Sequence, residues 1–214
     1  MDLNELLNSN IKLHRRHNGE EVTYGACNQV LEFIYEHVNN SSNTLETGAG
    51  ISTIIFSMKQ TQHISIVPDE ALVKRITQFC VDKNFSVNKI KFYIEPSETL
   101  LPRLSCEPLD LVFIDGQHAF PSPFIDWYYT ESKLKIGGIL IIDDIQLWTG
   151  AVLKDFLNKE KGWKLKERFG NRAVVFTKIK EGSSKKWWGQ QPFVVAHSDL
   201  RTQLAIFTKL FKLK

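Results

Sequence analysis

Apolar residues recur at steps of three and four along Tyr24, Cys27, Leu31, Ile34 and Val38, which predicts a helix from about Thr23 to Val38 with one inward face. The polar run Asn39 to Asn43 ends it, and a short strand follows over Asn43 to Thr47. Another helix is expected to start near Ser52. His63 to Val67 reads as a second strand, stopped by Pro68, with Asp69 placed to cap a helix that turns Leu72, Val73, Ile76, Phe79 and Cys80 inward. Ile90 to Glu95 makes a third strand. Leu109 to Asp115 makes a fourth, whose nearly continuous apolar run predicts burial on both faces and a central place. A helix over Phe120 to Leu134, a turn at Lys135-Ile136-Gly137-Gly138 and a fifth buried strand over Ile139 to Asp144 come next, then a helix from about Thr149 to Glu160. Trp163 to Phe169 and Arg172 to Ile179 are separated only by Gly170-Asn171, a link short enough to demand an antiparallel hairpin. The expected fold class is therefore α/β: a doubly wound, mostly parallel seven-stranded sheet with an antiparallel C-terminal hairpin. Beyond it, Glu181 to Lys186 reads as a loop. Leu200, Leu204, Phe207 and Phe211 stripe a final helix, expected to pack on the domain or on a second subunit of a homo-oligomer.

Composition narrows the setting. A chain of 214 residues with 43% hydrophobic positions can bury the core of one α/β domain. Cys27, Cys80 and Cys106 are odd in number and far apart, so neither a disulfide framework nor a cysteine zinc site is indicated. The start carries no basic flank before an apolar core, and no run is long enough to span a bilayer; a soluble, cytoplasmic protein is expected. The net charge of +3 is uneven, because the segment from Lys178 onward holds eight Lys and Arg against two acids. At that density a solvated face is the expected reading, and nucleic acid is not the expected partner.

The chemistry-bearing stretch is Thr44-Leu45-Glu46-Thr47-Gly48-Ala49-Gly50-Ile51-Ser52-Thr53. An acid near a strand end followed by Gly-x-Gly lets the backbone approach a nucleoside-like ligand with no Cβ in the way. Thr53 stands where a dinucleotide fingerprint has its last glycine, and no Tyr-x-x-x-Lys pair is present, so a nicotinamide dehydrogenase is disfavoured. Asp115 ends the fourth strand, and Asp143 with Asp144 the fifth. If those strands are neighbours, the acids lie about 5 Å apart in the crevice where open α/β sheets bind ligands. A hard divalent cation such as Mg²⁺ would relieve their repulsion. Adjacent aspartates on a continuing strand face opposite sides, so both reach one ion only if the strand ends at Asp143. His118, three residues after Asp115, is a candidate general base towards a hydroxyl whose pKa a metal has lowered.

From about Thr23 to Lys178 the chain resembles class I S-adenosylmethionine-dependent methyltransferases. The ordered set Leu45 to Thr53, Phe113-Ile114-Asp115-Gly116-Gln117-His118 and Gly137 to Asp144 is similar to the small metal-dependent O-methyltransferases of the catechol and antibiotic or sugar groups. The resemblance implies a Rossmann-like methyltransferase domain over residues 1–180, followed by a basic loop and helix over 181–214. It assigns Glu46, Gly48 and Gly50 to the methionine part of the cofactor, with Ser52 and Thr53 donating to its carboxylate. An acid ending the second strand would hold the ribose hydroxyls; Val67 stands at that position, and Asp69, two residues later, is the cofactor-binding candidate. Ser97 and Glu98 border the adenine, and Asp115 faces the cofactor as well as the metal. Asp115, Asp143 and Asp144 hold Mg²⁺, and His118 stands where the catechol enzymes have a lysine base.

The implied reaction is O-methylation of a small hydroxylated acceptor: a sugar, a phenol or a natural-product intermediate. His14 to Tyr24 and Trp187 to Phe193 are the segments expected to flank it. A base methyltransferase would carry an Asn/Asp-Pro-Pro-aromatic run after the fourth strand, and Asp115-Gly116-Gln117-His118 is not one. The alternative is a non-catalytic protein of this fold that binds the cofactor and engages a partner through its basic C-terminal helix.

Overall fold

A computed structural model describes residues 1–15, 18–23, 25–181 and 187–211, with 207–211 described by backbone alone. The chain opens with α1 (Leu3–Asn8), held by a capping box between Asp2 and Glu5, and a two-residue pairing of β1 (His14–Arg15) with β2 (Glu21–Val22). Sequence periodicity missed both because each is too short to show a repeat. The elements α2 (Asn28–His37), β3 (Asn43–Thr47), α3 (Ile51–Met58), β4 (Gln62–Ile66), α4 (Glu70–Asp82) and β5 (Ile90–Tyr93) then alternate, followed by α5 (Ser97–Leu100), β6 (Leu109–Ile114), α6 (Ser122–Glu131), β7 (Leu134–Ile142) and α7 (Trp148–Lys159). The hairpin β8 (Trp163–Phe169) and β9 (Ala173–Lys178) precedes α8 (Pro192–Ala196) and α9 (Leu200–Phe211).

The seven strands pair in the order β5-β4-β3-β6-β7-β9-β8, parallel from β5 to β7 and antiparallel through β9 and β8. β6 is central and, as its sequence demands, Leu109 and Leu111 to Ile114 are all buried. Two cores result. Val30, Leu31, Ile34, Ile55 and Ile76 cover one face of the sheet, and Leu100, Trp127, Leu153 and Leu157 cover the other.

Four local expectations change. The helix expected from Thr23 starts only at Asn28, after Cys27 in an extended conformation, and Tyr24 lies outside the described residues. The helix expected over Phe120 to Leu134 is confined to Ser122–Glu131. The expected turn at Lys135–Gly138 lies inside β7: Leu109 pairs with Leu134 but Leu111 with Ile139, so the extra residues bulge, with Gly137 at φ +87°. Leu200 and Leu204, expected to face inward on α9, are 76% and 66% exposed, whereas Ile206 is buried; the side chains of Phe207 and Phe211 lie outside the description.

Lys178, counted with the basic segment, is buried and donates to the carbonyls of Glu131 and Leu134, each at 2.9 Å. Most of the loop from Glu181 to Lys186 falls outside the described residues. Among the described residues no helix is long and apolar enough to cross a membrane.

Candidate active site

The crossover after β3 leads outward to β4, and that after β6 leads the other way to β7. A crevice therefore opens at the carboxyl ends of β3 and β6. Gly48 makes the closest approach there. It has φ +100°, and a Cβ built on it would lie 2.3 Å from the backbone oxygen of Asp115. Only glycine lets the turn after β3 rest against the end of β6. Gly116 packs the other way, its would-be Cβ 3.3 Å from Thr47, and the Asp115 amide donates to the Thr47 carbonyl at 3.1 Å.

Below the turn Glu46 is buried in the sheet. It accepts from Ser52 Oγ at 2.6 Å and from Thr53 Oγ1, with His63 Nε2 at 3.2 Å. The Gly50 amide donates to Thr53 Oγ1 at 3.0 Å. Glu46 thereby ties β3 to the first turn of α3 and to β4, which sets where the glycine turn stands.

Two cavities meet over this turn. One, of about 310 Å³, is bounded by Gly48, Val67, Pro68, Ser97, Glu98 and Gln117. The other, of about 450 Å³, is bounded by Thr23, Gly50, Ser52, His118, Asp144 and Arg172. His14, Ala49, Asp115 and Gly116 line both. Asp69 lines neither: its carboxylate accepts from the Leu72 amide at 2.9 Å as the cap of α4 and pairs with Arg75 at 3.7 Å.

Of the two expected flanks, the N-terminal one reaches the crevice through His14 and Thr23. The Trp187 to Phe193 flank does not. Gly189, Gln190 and Pro192 line a separate cavity with Lys161, and Phe193 packs on Phe156 with ring centroids 5.6 Å apart. Since α7 starts beside the crevice at Trp148, Phe156 lies about 12 Å further along the helix, and α8 packs there instead.

The acids gather as the strand end requires. β7 stops at Ile142, and Asp144 takes φ +51°, so Asp143 and Asp144 no longer alternate. Asp144 Oδ2 lies 3.0 Å from His118 Nε2, and Asp144 Oδ1 lies 2.9 Å from Arg172 Nη2 and accepts from Gln146 Nε2 at 2.6 Å. His118 Nε2 is 4.0 Å from Asp115 Oδ1. Asp115, His118 and Asp144 can each offer one ligand atom within 4.8 Å of the others.

Asp143 stands apart from that trio. It is buried, with its amide donating to the Ile114 carbonyl at 3.0 Å. Burial first, and then the charges of Asp143, Glu46 and Asp144, push the Asp115 carboxyl well above the usual carboxylate range. Burial likewise raises Asp143.

Asp144 thus faces the Arg172 guanidinium on one side and the His118 ring on the other. Arg172 was missed, and the signal for it lies only in topology. It directly follows the Gly170-Asn171 turn, and its carbonyl accepts from the Ile145 amide at 3.0 Å, which fixes it beside the end of β7.

Residues 45–145 match the family model described as "Methyltransferase domain". Among solved structures, a candidate O-methyltransferase from Klebsiella pneumoniae is 17% identical at a TM-score of 0.64, over 83% of this chain and 90% of that one. Cofactor-bound Rv0187 from MTB is 14% identical at a TM-score of 0.61, over 83% and 88%. An rRNA methylase from Streptococcus thermophilus is 15% identical at a TM-score of 0.57, over 74% and 99%. No curated protein matches the sequence. The chain has the fold of class I S-adenosylmethionine-dependent methyltransferases, and its residues 45–145 are similar to a methyltransferase domain. The matched segment runs from β3 past the end of β7.

Proposed function

We propose that this methyltransferase carries out divalent-metal-assisted O-methylation of a small hydroxylated acceptor. The observation that carries the reading is the trio Asp115, His118 and Asp144 at the meeting of the two cavities. The cofactor occupies the cavity beside Gly48, Val67, Ser97 and Glu98, with its methyl-bearing end towards Asp115; the acceptor occupies the cavity beside His118 and Arg172.

The carboxylates of Asp115 and Asp144 fit a hard cation that keeps waters for the acceptor to displace. The raised Asp115 carboxyl expresses the same crowding of negative charge that such an ion would offset. Once bound, a cation would stabilise an acceptor alkoxide or phenolate. Asp143 backs Asp115 from inside the sheet. His118 takes the proton from the acceptor hydroxyl, and the Asp144 carboxylate, 3.0 Å from its Nε2, orients the ring. Arg172 moderates the charge on Asp144 from the opposite side. The protein's contribution to in-line transfer is then mainly positioning.

The test is transfer of labelled methyl from S-adenosylmethionine to a panel of phenols, sugars and other hydroxylated compounds, with and without EDTA and added Mg²⁺ or Mn²⁺. The expected result is metal-dependent methylation on oxygen, reduced at least about a hundredfold in His118→Ala. Methylation on nitrogen, or turnover indifferent to EDTA, would contradict the reading.

A further inference from the structure

The N-terminal strap carries an imidazole to the junction of the two cavities. The cofactor cavity and its neighbour share four lining residues, and three of them, Ala49, Asp115 and Gly116, come from the sheet edge. His14 comes from the other side, on β1. A Cβ built on Gly50 would lie 3.5 Å from His14 Nε2, so the ring tip rests on the glycine turn.

The strap is pinned from outside the site. Leu13 is buried, its carbonyl accepts from Arg75 Nε at 2.5 Å, and Arg75 pairs with the α4 cap residue Asp69 at 3.7 Å. His14 pairs with Val22 across the short hairpin. Burial and the Arg75 charge lower its pKa, against a smaller opposing effect of Asp69. A neutral ring can meet a cation through its electron-rich face or its unprotonated nitrogen; an imidazolium would repel it.

We propose that His14 contacts the methyl-bearing sulfonium of the bound cofactor opposite Asp115, and thereby favours the charged S-adenosylmethionine over the neutral S-adenosylhomocysteine. The sulfonium is the only charge that distinguishes the two ligands, so a contact confined to it changes one affinity and spares the other. This role holds for any acceptor atom and needs no metal. It rests on the cofactor placement proposed above, not on the acceptor or the metal, and methyl-transfer assays can fail without touching it.

Calorimetric titration of both ligands into the full chain, without added metal, tests the contact on wild type, His14→Ala and His14→Lys, with thermal melts as a fold control. His14→Ala is expected to weaken S-adenosylmethionine about tenfold and to leave S-adenosylhomocysteine within about twofold. His14→Lys, which places a like charge at the junction, is expected to reverse the preference. Equal weakening of both ligands, or no change in either, would overturn the proposal. Should His14→Ala fail to fold, His14→Asn carries the same comparison.

Discussion

Asp126 is fully buried on α6 behind Thr47 and Ser97, and neither of its carboxylate oxygens has a partner at full hydrogen-bond geometry. Burial is the main cause that pushes it from 3.8 up to about 6, reinforced by Glu98 and opposed by the nearby Ser97 and Thr47 hydroxyls. Because the folded chain holds this proton more tightly than the unfolded one, the site's contribution to stability is fully present below about pH 4 and is lost as pH rises through about 6. The swing is about 3 kcal/mol. Asp126→Asn removes the titration. Urea unfolding of the variant should show it more stable than wild type at pH 8 by an amount of that order, with the advantage vanishing near pH 4. An equal difference at both pH values would contradict the assignment.

At this scale the sequence disclosed residue types but not their company. Asp115, His118 and Asp144 were legible from their spacing after apolar strands. Glu46 was read as a cofactor residue from its place before the glycine turn, while its engagement with Ser52, Thr53 and His63 depends on how α3 and β4 fold over it. The turn that ends β7 carries the +51° φ of Asp144, which no local pattern announces.

Among the elements, α7 does more than cover the sheet. Thr149 Oγ1 donates to the His118 carbonyl at 2.7 Å, and the Asp144 carbonyl accepts from the Leu147 amide at 2.9 Å, so the start of the helix anchors both halves of the His118–Asp144 pair. Gly150 makes that fit possible: a Cβ there would lie 2.8 Å from the Asp144 carbonyl oxygen and 3.1 Å from Ile145 Cα, both backbone atoms that yield little. Gly150→Ala should therefore displace the Asp144 corner, with a stability loss of about 1–3 kcal/mol and a fall in turnover of at least tenfold, although no side chain of the trio is altered. Thermal melts together with initial rates check this; unchanged turnover in a destabilised variant would show that the helix start does not set the corner.

The strands were legible because β3, β4, β6 and the hairpin carry continuous or bounded apolar runs. The bulge in β7 was hidden because Lys135-Ile136-Gly137-Gly138 satisfies turn chemistry equally well, and only pairing with β6 decides between the two. The short β1–β2 pairing has no core-facing run of its own, yet it brings His14 to the site.

For the molecule as a whole, the order β5-β4-β3-β6-β7-β9-β8 brings residues from distant parts of the sequence, Asp144 at the end of β7 among them, into one crevice. His14 arrives from the N-terminal strap, Gly48 and Gly50 from the first crossover, Asp115 and His118 from the end of β6, and Arg172 from the closing hairpin. The topology was legible from the count and order of elements. The walls of the cavity beside His118 and Arg172 were not, because they are formed between elements remote in sequence. Solved neighbours of the same fold range from an O-methyltransferase candidate to an rRNA methylase, so the fold alone does not select the acceptor. The selection falls to the few residues at the crevice.

The most direct measurement is calorimetric titration of S-adenosylmethionine, and then of Mg²⁺ or Mn²⁺, into wild type and Asp144→Asn. The account predicts one cofactor per chain in both proteins and one cation per chain in wild type only. Absence of cofactor binding, or cation binding that survives Asp144→Asn unchanged, would contradict it.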